Sequence, residues 1–365
     1  RDRPNNTTLP AAYYNYYYSD TGETTKRSSV NINLEWAIVD GLRAVAQFSN
    51  HNRHSRSHFF VKNNPTTGTN IRPTKEAFTE TNRMDFQTYL NWKKTFAEDH
   101  NIDVVAGYDY MKDKNNSIDA RVQGAASDKI PTLNVGTSNI TNYPTSTRTD
   151  EVLISYFGRV NYNFREKYLL SFTMRADGSS KFAAGNRWGY FPSASAAWNI
   201  SNEKFLSQNK VVSNLKLRAS WGQTGNNRVS EYAYRTQMYA TEGSEYPFDN
   251  SNTTGNIIVN LGNRNLKWET TTQWDAGVDL GLFRNRLTIA VDWYRKITSD
   301  LLLSADIPPS SGFSTNTMNI GKVRNQGWEF TLQTENFNTK NFRWTTDFNI
   351  AFNRNKVLAL SHNQE

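Results

Sequence analysis

The chain has 365 residues, a formal net charge of +8, no cysteine, 13% aromatic residues and a mean hydropathy of -0.73. The lack of cysteine excludes disulfides, thiol catalysis and thiolate metal sites. The hydropathy is too low for a helical membrane protein, whose spans each need about 20 apolar residues. The basic residues form no stripe or helix face, which argues against nucleic-acid binding.

An alternation with a period of two is the dominant pattern, and it indicates β-strands with one apolar face. It begins where Val30, Ile32, Leu34 and Trp36 alternate with polar residues, and it recurs over residues 83–96 and 151–164. The clearest example is residues 268–282, WETTTQWDAGVDLGL, and residues 342–353 repeat it. One face of each run is apolar and the other is polar, and in residues 268–282 the polar face is acidic.

These runs are longer than strands of soluble proteins, which average five or six residues. A tilted strand needs ~9–11 residues to cross a bilayer. Aromatic residues near the ends of the runs fit an interfacial girdle; they are Trp36, Tyr162, Trp188, Trp268, Trp293 and Trp344. The runs therefore predict membrane-spanning strands.

The connections alternate between short and long. The short ones are residues 39–41, 97–101, 165–166, 283–286 and 336–341, and the long polar ones are residues 51–82, 113–150 and 223–266. This alternation is typical of bacterial outer-membrane barrels. We predict an all-β fold, a transmembrane antiparallel up-and-down β-barrel with roughly twelve strands of a larger barrel. Residues 201–213 are predicted to form a short helix in one inner turn.

Five segments carry a family resemblance. They are RADGSSKFAAGNRWGYFPSASAAWNISNE (175–203), LKLRASWGQTGNN (215–227), NLKWETTTQWDAGVDLGLFRNRLTIAVDWYRKITSDLLL (265–303), GKVRNQGWEF (321–330) and FNRNKV (352–357). Together they resemble the SusC/RagA branch of TonB-dependent outer-membrane transporters. The similarity covers most of the chain from about Glu151 onward, and the earlier part matches mainly in its pattern.

The resemblance implies a barrel of about 22 strands filled by a plug. It also implies a SusD-like surface lipoprotein as a lid, TonB as the energy source, and a glycan or peptide as cargo, in the outer membrane of a Bacteroidetes-type Gram-negative bacterium. No cofactor is implied. The chain opens at Arg1 without an export signal. We therefore expect residues 1–365 to be one partial barrel domain, with the signal peptide, the plug, the TonB-contacting segment and the last strands outside it.

Charged residues on the polar face are candidates for lining the lumen, either along a wet translocation path or as mutual charge pairs that hold the wall. The residues selected are Arg159, Arg218, Glu269, Asp275, Asp279, Asp292 and Asp347.

Two aromatic groups in predicted outer loops are candidates for binding ligand, since aromatic faces beside polar groups suit sugar rings and peptide side chains. The first group is Tyr13, Tyr14, Tyr16, Tyr17 and Tyr18, and the second is Tyr232, Tyr234, Tyr239, Tyr246 and Phe248. Contact with a lid and packing within the loops are the alternatives.

Metal and catalytic sites are not predicted. His51, His54 and His58 lie in a predicted loop with no nearby carboxylate, so we interpret them as solvated histidines. No nucleophile lies beside an Asp–His pair, so no enzyme is predicted. An active importer is the leading function. A passive porin and, less favoured, a soluble adhesin or lectin remain as alternatives that the upstream sequence and a requirement for detergent would distinguish.

Overall fold

The computed structural model describes residues 18–63, 71–138, 144–206, 209–239, 245–248 and 251–360. Its strands are β1 (Ser19–Val39), β2 (Leu42–Val61), β3 (Thr74–Phe96), β4 (His100–Ala125), β5 (Gly136–Ser138), β6 (Thr145–Phe164), β7 (Tyr168–Ser179), β8 (Trp188–Asn199), β9 (Val212–Asn226), β10 (Gln237–Tyr239), β11 (Glu245–Phe248), β12 (Ser251–Thr254), β13 (Ile257–Asn260), β14 (Glu269–Leu282), β15 (Leu287–Ser299), β16 (Leu302–Asp306), β17 (Thr315–Asn319), β18 (Lys322–Asn338) and β19 (Arg343–Ala359). Short 3-10 helices occupy Leu133–Val135, Ala184–Asn186, Ile200–Asn202 and Pro309–Ser311.

Twelve long strands form one sheet in the order β1-β2-β3-β4-β6-β7-β8-β9-β14-β15-β18-β19, which is their order along the chain, and β5 pairs with β4. The registers given from β6 to β19 are antiparallel throughout. Three separate ribbons, β10–β13, β11–β12 and β16–β17, lie in the longer connections. The predicted all-β, up-and-down arrangement with about twelve strands is confirmed. Within the described ranges, no helix has the length and apolar character to cross a membrane.

The contacts divide the chain into two compact units. Among the described residues, the first unit lies within 18–33, 47–86 and 111–151, and the second lies within 34–46, 87–110 and 152–360.

Polar side chains pair across neighbouring strands in the first unit. Ser55 donates to Glu23 at 2.6 Å. Lys75 lies 2.7 Å from Asp119, and Thr81 donates to Asn115 at 3.1 Å. Such cross-strand pairs stabilise a sheet whose side chains are polar.

The first unit corrects two predicted loops. Most of residues 51–82 is strand, because β2 continues to Val61 and β3 starts at Thr74. Likewise β4 continues to Ala125 and β6 starts at Thr145. The prediction was wrong here because these residues lack apolar alternation, whereas backbone pairing and polar side-chain pairs are sufficient to form strands.

In the second unit the strands have one polar and one apolar face. Directly paired residues share a face, so Arg218, Gly277 and Asp292 define the polar face, and Ala219, Ala276 and Trp293 lie on the apolar face. Large apolar residues are exposed along the latter, among them Tyr156, Val160, Leu170, Phe172, Trp274, Val278, Trp328, Phe330, Phe348 and Ile350. This pattern is expected of a surface that contacts lipid.

The short connections are tight turns tied to one another. Arg165 and Glu166 both have positive φ, at 54°, between β6 and β7. Arg165 forms an ion pair with Asp99 of the β3–β4 turn at 2.7 Å. The carbonyl of Glu166 accepts hydrogen bonds from Asn199 at 2.6 Å and Asn202 at 3.0 Å. These neighbouring side chains stabilise a left-handed backbone that non-glycine residues rarely adopt.

The predicted helix at residues 201–213 is wrong as a helix of that length. The segment begins with the end of a 3-10 turn at Ile200–Asn202, and β9 already starts at Val212. Glu203, just after the 3-10 turn, accepts hydrogen bonds from Lys167 and Tyr168, each at 2.8 Å, and from Trp198 at 3.2 Å. The segment therefore turns back onto β7 and β8 instead of forming a free helix.

Trp268 is also corrected. It precedes β14 and is buried with Phe182, Phe191 and Leu266, and its indole nitrogen donates to the carbonyl of Arg187 at 2.8 Å. It is therefore a core residue of the long connections and not part of an interfacial girdle. Trp36, Trp188 and Trp344 are exposed, and their place in an interfacial girdle stays a prediction.

Candidate functional site

The seven predicted lumen residues share the polar face, because the registers from β6 to β19 place them in one set of directly opposed positions. This places their side chains together on one surface of the sheet.

Arg218 is the centre of the first charge cluster. Its Nη1 lies 2.6 Å from Oδ1 of Asp292, and its Nη2 donates to Oδ2 of the same carboxylate at 2.8 Å. It also donates to Asp279, with Nε 3.2 Å from Oδ2. One guanidinium thus holds two carboxylates, a charge-assisted arrangement with well-defined geometry. The cluster carries a net charge of about -1 when all three groups are ionised.

Arg175 forms a second cluster of the same kind. Its Nε donates to Asp177 at 2.7 Å and its Nη2 donates to the buried hydroxyl of Ser155 at 2.8 Å. Asp109 lies 3.5 Å from the same Nη2. The sequence prediction missed Asp177. Strand alternation alone could have found it, since Asp177 lies two residues from Arg175.

The other four predicted lumen residues lie outside these two charge clusters. Glu269 accepts hydrogen bonds from Asn226 and from the backbone of Leu302, both at 3.3 Å. Asp275 accepts one from Gln273 at 2.9 Å. Arg159 and Asp347 are exposed.

A cavity of about 1260 Å³ lies against the sheet near the short turns. Polar-face residues among its lining include Asp103, Asn161, Ser171, Lys216, Arg218 and Asp275. Hydroxyl, amide and charged groups make a surface that water or a hydrophilic solute can wet.

The aromatic candidates do not form one site. Tyr13, Tyr14, Tyr16 and Tyr17 lie outside the described residues. The carbonyl of Tyr18, just before β1, accepts a hydrogen bond from Lys62 at 2.8 Å. In the second group Tyr239 and Tyr246 lie exposed in two different ribbons, and Phe248 ends β11. Tyr232 lies in a turn with φ of 64°.

Tyr234, a member of the second group, lines a cavity of about 590 Å³. The same cavity is lined by Arg187, Arg235 and Arg264. Sequence reasoning missed these arginines as a group. Arg187 and Arg264 lie 77 positions apart, and no local spacing relates them.

The three histidines have separate partners. His58 lies 2.6 Å from Glu76, His51 lies 2.9 Å from the hydroxyl of Ser29, and His54 stacks on Phe78. The expectation of no nearby carboxylate was wrong, because β3 brings Glu76 beside His58. No group of three or more metal-ligating side chains occurs in the part of the chain that the structure describes.

The long antiparallel strands, the lipid-type apolar face and the paired charges on the opposite face define a membrane β-barrel sheet. Residues 1–362 match the family described as "TonB dependent receptor-like, beta-barrel". The chain belongs to this family, whose members are receptors and transporters of the outer membrane and not enzymes.

The curated relatives that match the chain are named TonB-dependent receptors. The chain is 34% identical over 338 residues to TonB-dependent receptor P3 of Formosa agariphila, covering 90% of this chain and 33% of that protein. It is 42% identical over 220 residues to TonB-dependent receptor SusC of Bacteroides thetaiotaomicron, covering 60% of this chain and 22% of that protein. The chain thus spans a third or less of the length of these relatives.

A solved structure described as the RagAB peptide transporter superposes with a TM-score of 0.90 at 27% identity, covering 98% of this chain and 39% of that chain. The copper transporter OprC shares the fold at a TM-score of 0.57 and 15% identity, over 93% of this chain and 49% of that chain.

Proposed function

We propose that this chain is part of the wall of an outer-membrane importer that takes up a large nutrient, a glycan or a peptide, with energy supplied through TonB. The observation that carries the proposal is the superposition on the RagAB peptide transporter over 98% of the chain at 27% identity. The identity with SusC over 220 residues supports the same branch. A SusD-like lipoprotein is the proposed lid, and a Bacteroidetes-type outer membrane is the proposed location.

The twelve strands are proposed to be a continuous arc of a larger barrel. The support is the share of its relatives that the chain spans, 33% of receptor P3 and 39% of the RagAB chain. In this arrangement the polar face lines the lumen and the apolar face contacts lipid. The Arg218 and Arg175 clusters then form part of the polar lumen wall. Their carboxylate and guanidinium groups are already paired with one another.

Energy dependence is the experiment that separates an active importer from a passive porin. The full-length receptor would be produced in cells of a strain lacking its own copy, and uptake of labelled oligosaccharides and peptides would be followed with and without a protonophore. We expect uptake to stop when the proton-motive force is collapsed and when TonB is deleted. Uptake that continues unchanged in both conditions would contradict the importer and favour the porin.

The partner is tested separately. Affinity purification of the full-length receptor from its native membrane should recover a surface lipoprotein in a fixed molar ratio. Recovery of the receptor alone under conditions that preserve its uptake activity would exclude an obligatory lid.

A further inference from the structure

The cavity that contains Tyr234 is lined by three arginines from three separate segments. Arg187 follows the 3-10 turn Ala184–Asn186, Arg235 lies between β9 and β10, and Arg264 lies between β13 and β14. Its volume of about 590 Å³ falls within the ordinary range for small-ligand sites. The rest of the lining is Ala183, Ala184, Thr236 and Gly262, so none of the described residues in the lining is acidic.

Two lysines near the cavity in sequence form ion pairs, whereas the three arginines of the lining form none among the described residues. Lys181 lies 3.5 Å from Glu231, and Lys267 lies 2.9 Å from Asp300. Arg187, Arg235 and Arg264 form no ion pair with any residue in the described ranges. Three exposed arginines that line one cavity without an ion-pair partner among the described residues give it a positive potential, which attracts an anion.

Close contacts between the three segments build the cavity. A Cβ on Gly262 would lie closer than 3.0 Å to the backbone of Arg235 and Thr236, so only glycine allows this approach. The Gly262 amide donates to the hydroxyl of Thr236 at 3.3 Å, and the Asn263 amide donates to the carbonyl of Ala233 at 3.1 Å.

The segment that carries Arg187 is joined to the Arg264 segment by a hydrogen bond as well. Asn186 donates through its side chain to the carbonyl of Arg264 at 3.2 Å. Phe182 and Leu266, which flank the cavity in sequence, are both fully buried in the aromatic cluster with Trp268. The backbone of the segments that carry the arginines is therefore fixed by hydrogen bonds and by a small core.

The aromatic ring gives the cavity a second kind of contact. The guanidinium carbon of Arg235 lies 5.2 Å from the centroid of the Tyr234 ring, a cation–π arrangement that orients the arginine. A planar guanidinium matches the geometry of a carboxylate or sulfate, which it can hold through two hydrogen bonds. The ring of Tyr234 offers a flat face of the kind on which a sugar ring can stack.

We propose that this cavity binds an oligosaccharide that carries carboxylate or sulfate groups, and that it selects anionic glycans as the cargo of the proposed importer. The inference rests on the proposed function. A glycan is favoured over an acidic peptide because the lining has one aromatic ring and small residues, without the apolar pockets that alternate side chains of an extended peptide occupy.

The test is calorimetric titration of the purified full-length receptor in detergent. The probes are a tetragalacturonate, a sulfated tetrasaccharide, neutral maltotetraose and a tetraglutamate peptide. Arg187→Gln, Arg235→Gln and Arg264→Gln are combined in one variant, and Arg228→Gln, an exposed arginine outside the cavity lining, is the matched control. Gly262→Ala gives a second, independent disruption of the cavity.

We expect at least one anionic sugar to bind, with an affinity that falls tenfold or more in the triple variant and in Gly262→Ala, and that stays unchanged in Arg228→Gln. Raising the salt concentration should weaken this binding, because the attraction is electrostatic. Equal affinity of the triple variant, absence of binding by both anionic sugars, or equal binding of maltotetraose would overturn the proposal. Tetraglutamate binding as tightly as either sugar would overturn the assignment to glycans.

Binding in detergent does not depend on TonB. Loss of energised uptake with intact binding would therefore contradict the importer alone, and energised uptake with no binding at this cavity would contradict the cavity alone.

Discussion

Arg218 on β9 and Asp292 on β15 form a bidentate ion pair, although β14 lies between their strands. The pair is possible because Gly277, which lies directly opposite both residues, has no side chain. A Cβ at this position would lie 2.8 Å from Cζ of Arg218. One glycine thus permits a charge contact that spans two strand spacings.

The first prediction follows from that contact. Gly277→Val should place two methyl groups between the charges and lower the free energy of unfolding by about 1 kcal/mol, the upper end for partly exposed ion pairs. The measurement is urea unfolding of the full-length receptor in detergent. Asp292→Asn should destabilise the wild type but add little to Gly277→Val. Additive effects of the two substitutions would show that the valine leaves the ion pair intact.

The second prediction concerns the two faces of β14. Val278 is exposed on the apolar face, and Asp279 lies on the polar face beside Arg218. Val278→Arg should hinder barrel assembly, because arginine near the middle of the bilayer costs ~2–4 kcal/mol on the lipid face. Asp279→Asn should fold normally, since Arg218 keeps its pair with Asp292. Equal yields of folded, heat-modifiable receptor for both variants would contradict the face assignment.

The third prediction concerns the topology in the membrane. Bacterial barrels place long connections outside the cell and short turns in the periplasm. An epitope inserted at Asn252, in the long connection between β9 and β14, should bind antibody on intact cells. The same epitope in the four-residue turn of residues 283–286 should bind only after the outer membrane is permeabilised. The reverse labelling would invert the orientation.

The fourth prediction concerns Glu203 in the connection between β8 and β9. The hydrogen bond from Lys167, supported by those from Tyr168 and Trp198, lowers the pKa of Glu203 from 4.5 to about 2. A lowered pKa means that folding favours the ionised carboxylate, so this stabilisation is complete above pH 4.5 and disappears as the pH falls toward about 2.

The pH dependence is measured by comparing the wild type with Glu203→Gln. The variant should be less stable than the wild type at pH 6, and the difference should shrink as the pH falls from 4.5 to 2. The control is Glu98→Gln in the β3–β4 turn, which removes an exposed carboxylate that has no side-chain partner among the described residues. A difference between wild type and Glu203→Gln that does not change between pH 6 and pH 2 would contradict the assigned interaction.

The sequence predicted the second unit well, because one apolar face produces a period of two that is visible in a single strand. The pattern around Val278 needs no knowledge of its neighbours. The first unit was predicted less well, since residues such as Ser55 and Thr81 stabilise strands through partners on other strands. Those partners are 32 and 34 positions away in sequence, at Glu23 and Asn115.

The candidate sites were likewise predictable where the pattern of a single strand was enough, and not where distant segments come together. Alternation placed Arg218, Asp279 and Asp292 on one face, but it could not show that Arg218 reaches Asp292 across Gly277. The sequence also could not group Arg187 with Arg235 and Arg264, because connections between strands bring them together. Trp268 shows the opposite error, since it continues the alternation of β14 and yet is buried by aromatic residues from other segments.

The aromatic cluster at the base of the long connections bears on the entropy cost of binding a ligand. Phe191 of β8 lies so close to Gly189 and Gly225 that a Cβ on either would collide with its ring, and the edge of Trp268 packs against Phe191 with ring centroids 5.5 Å apart. The segments around the arginine cavity are thereby anchored to the sheet before any ligand arrives. A solute that enters there loses its own freedom without the further entropy cost of ordering a loop.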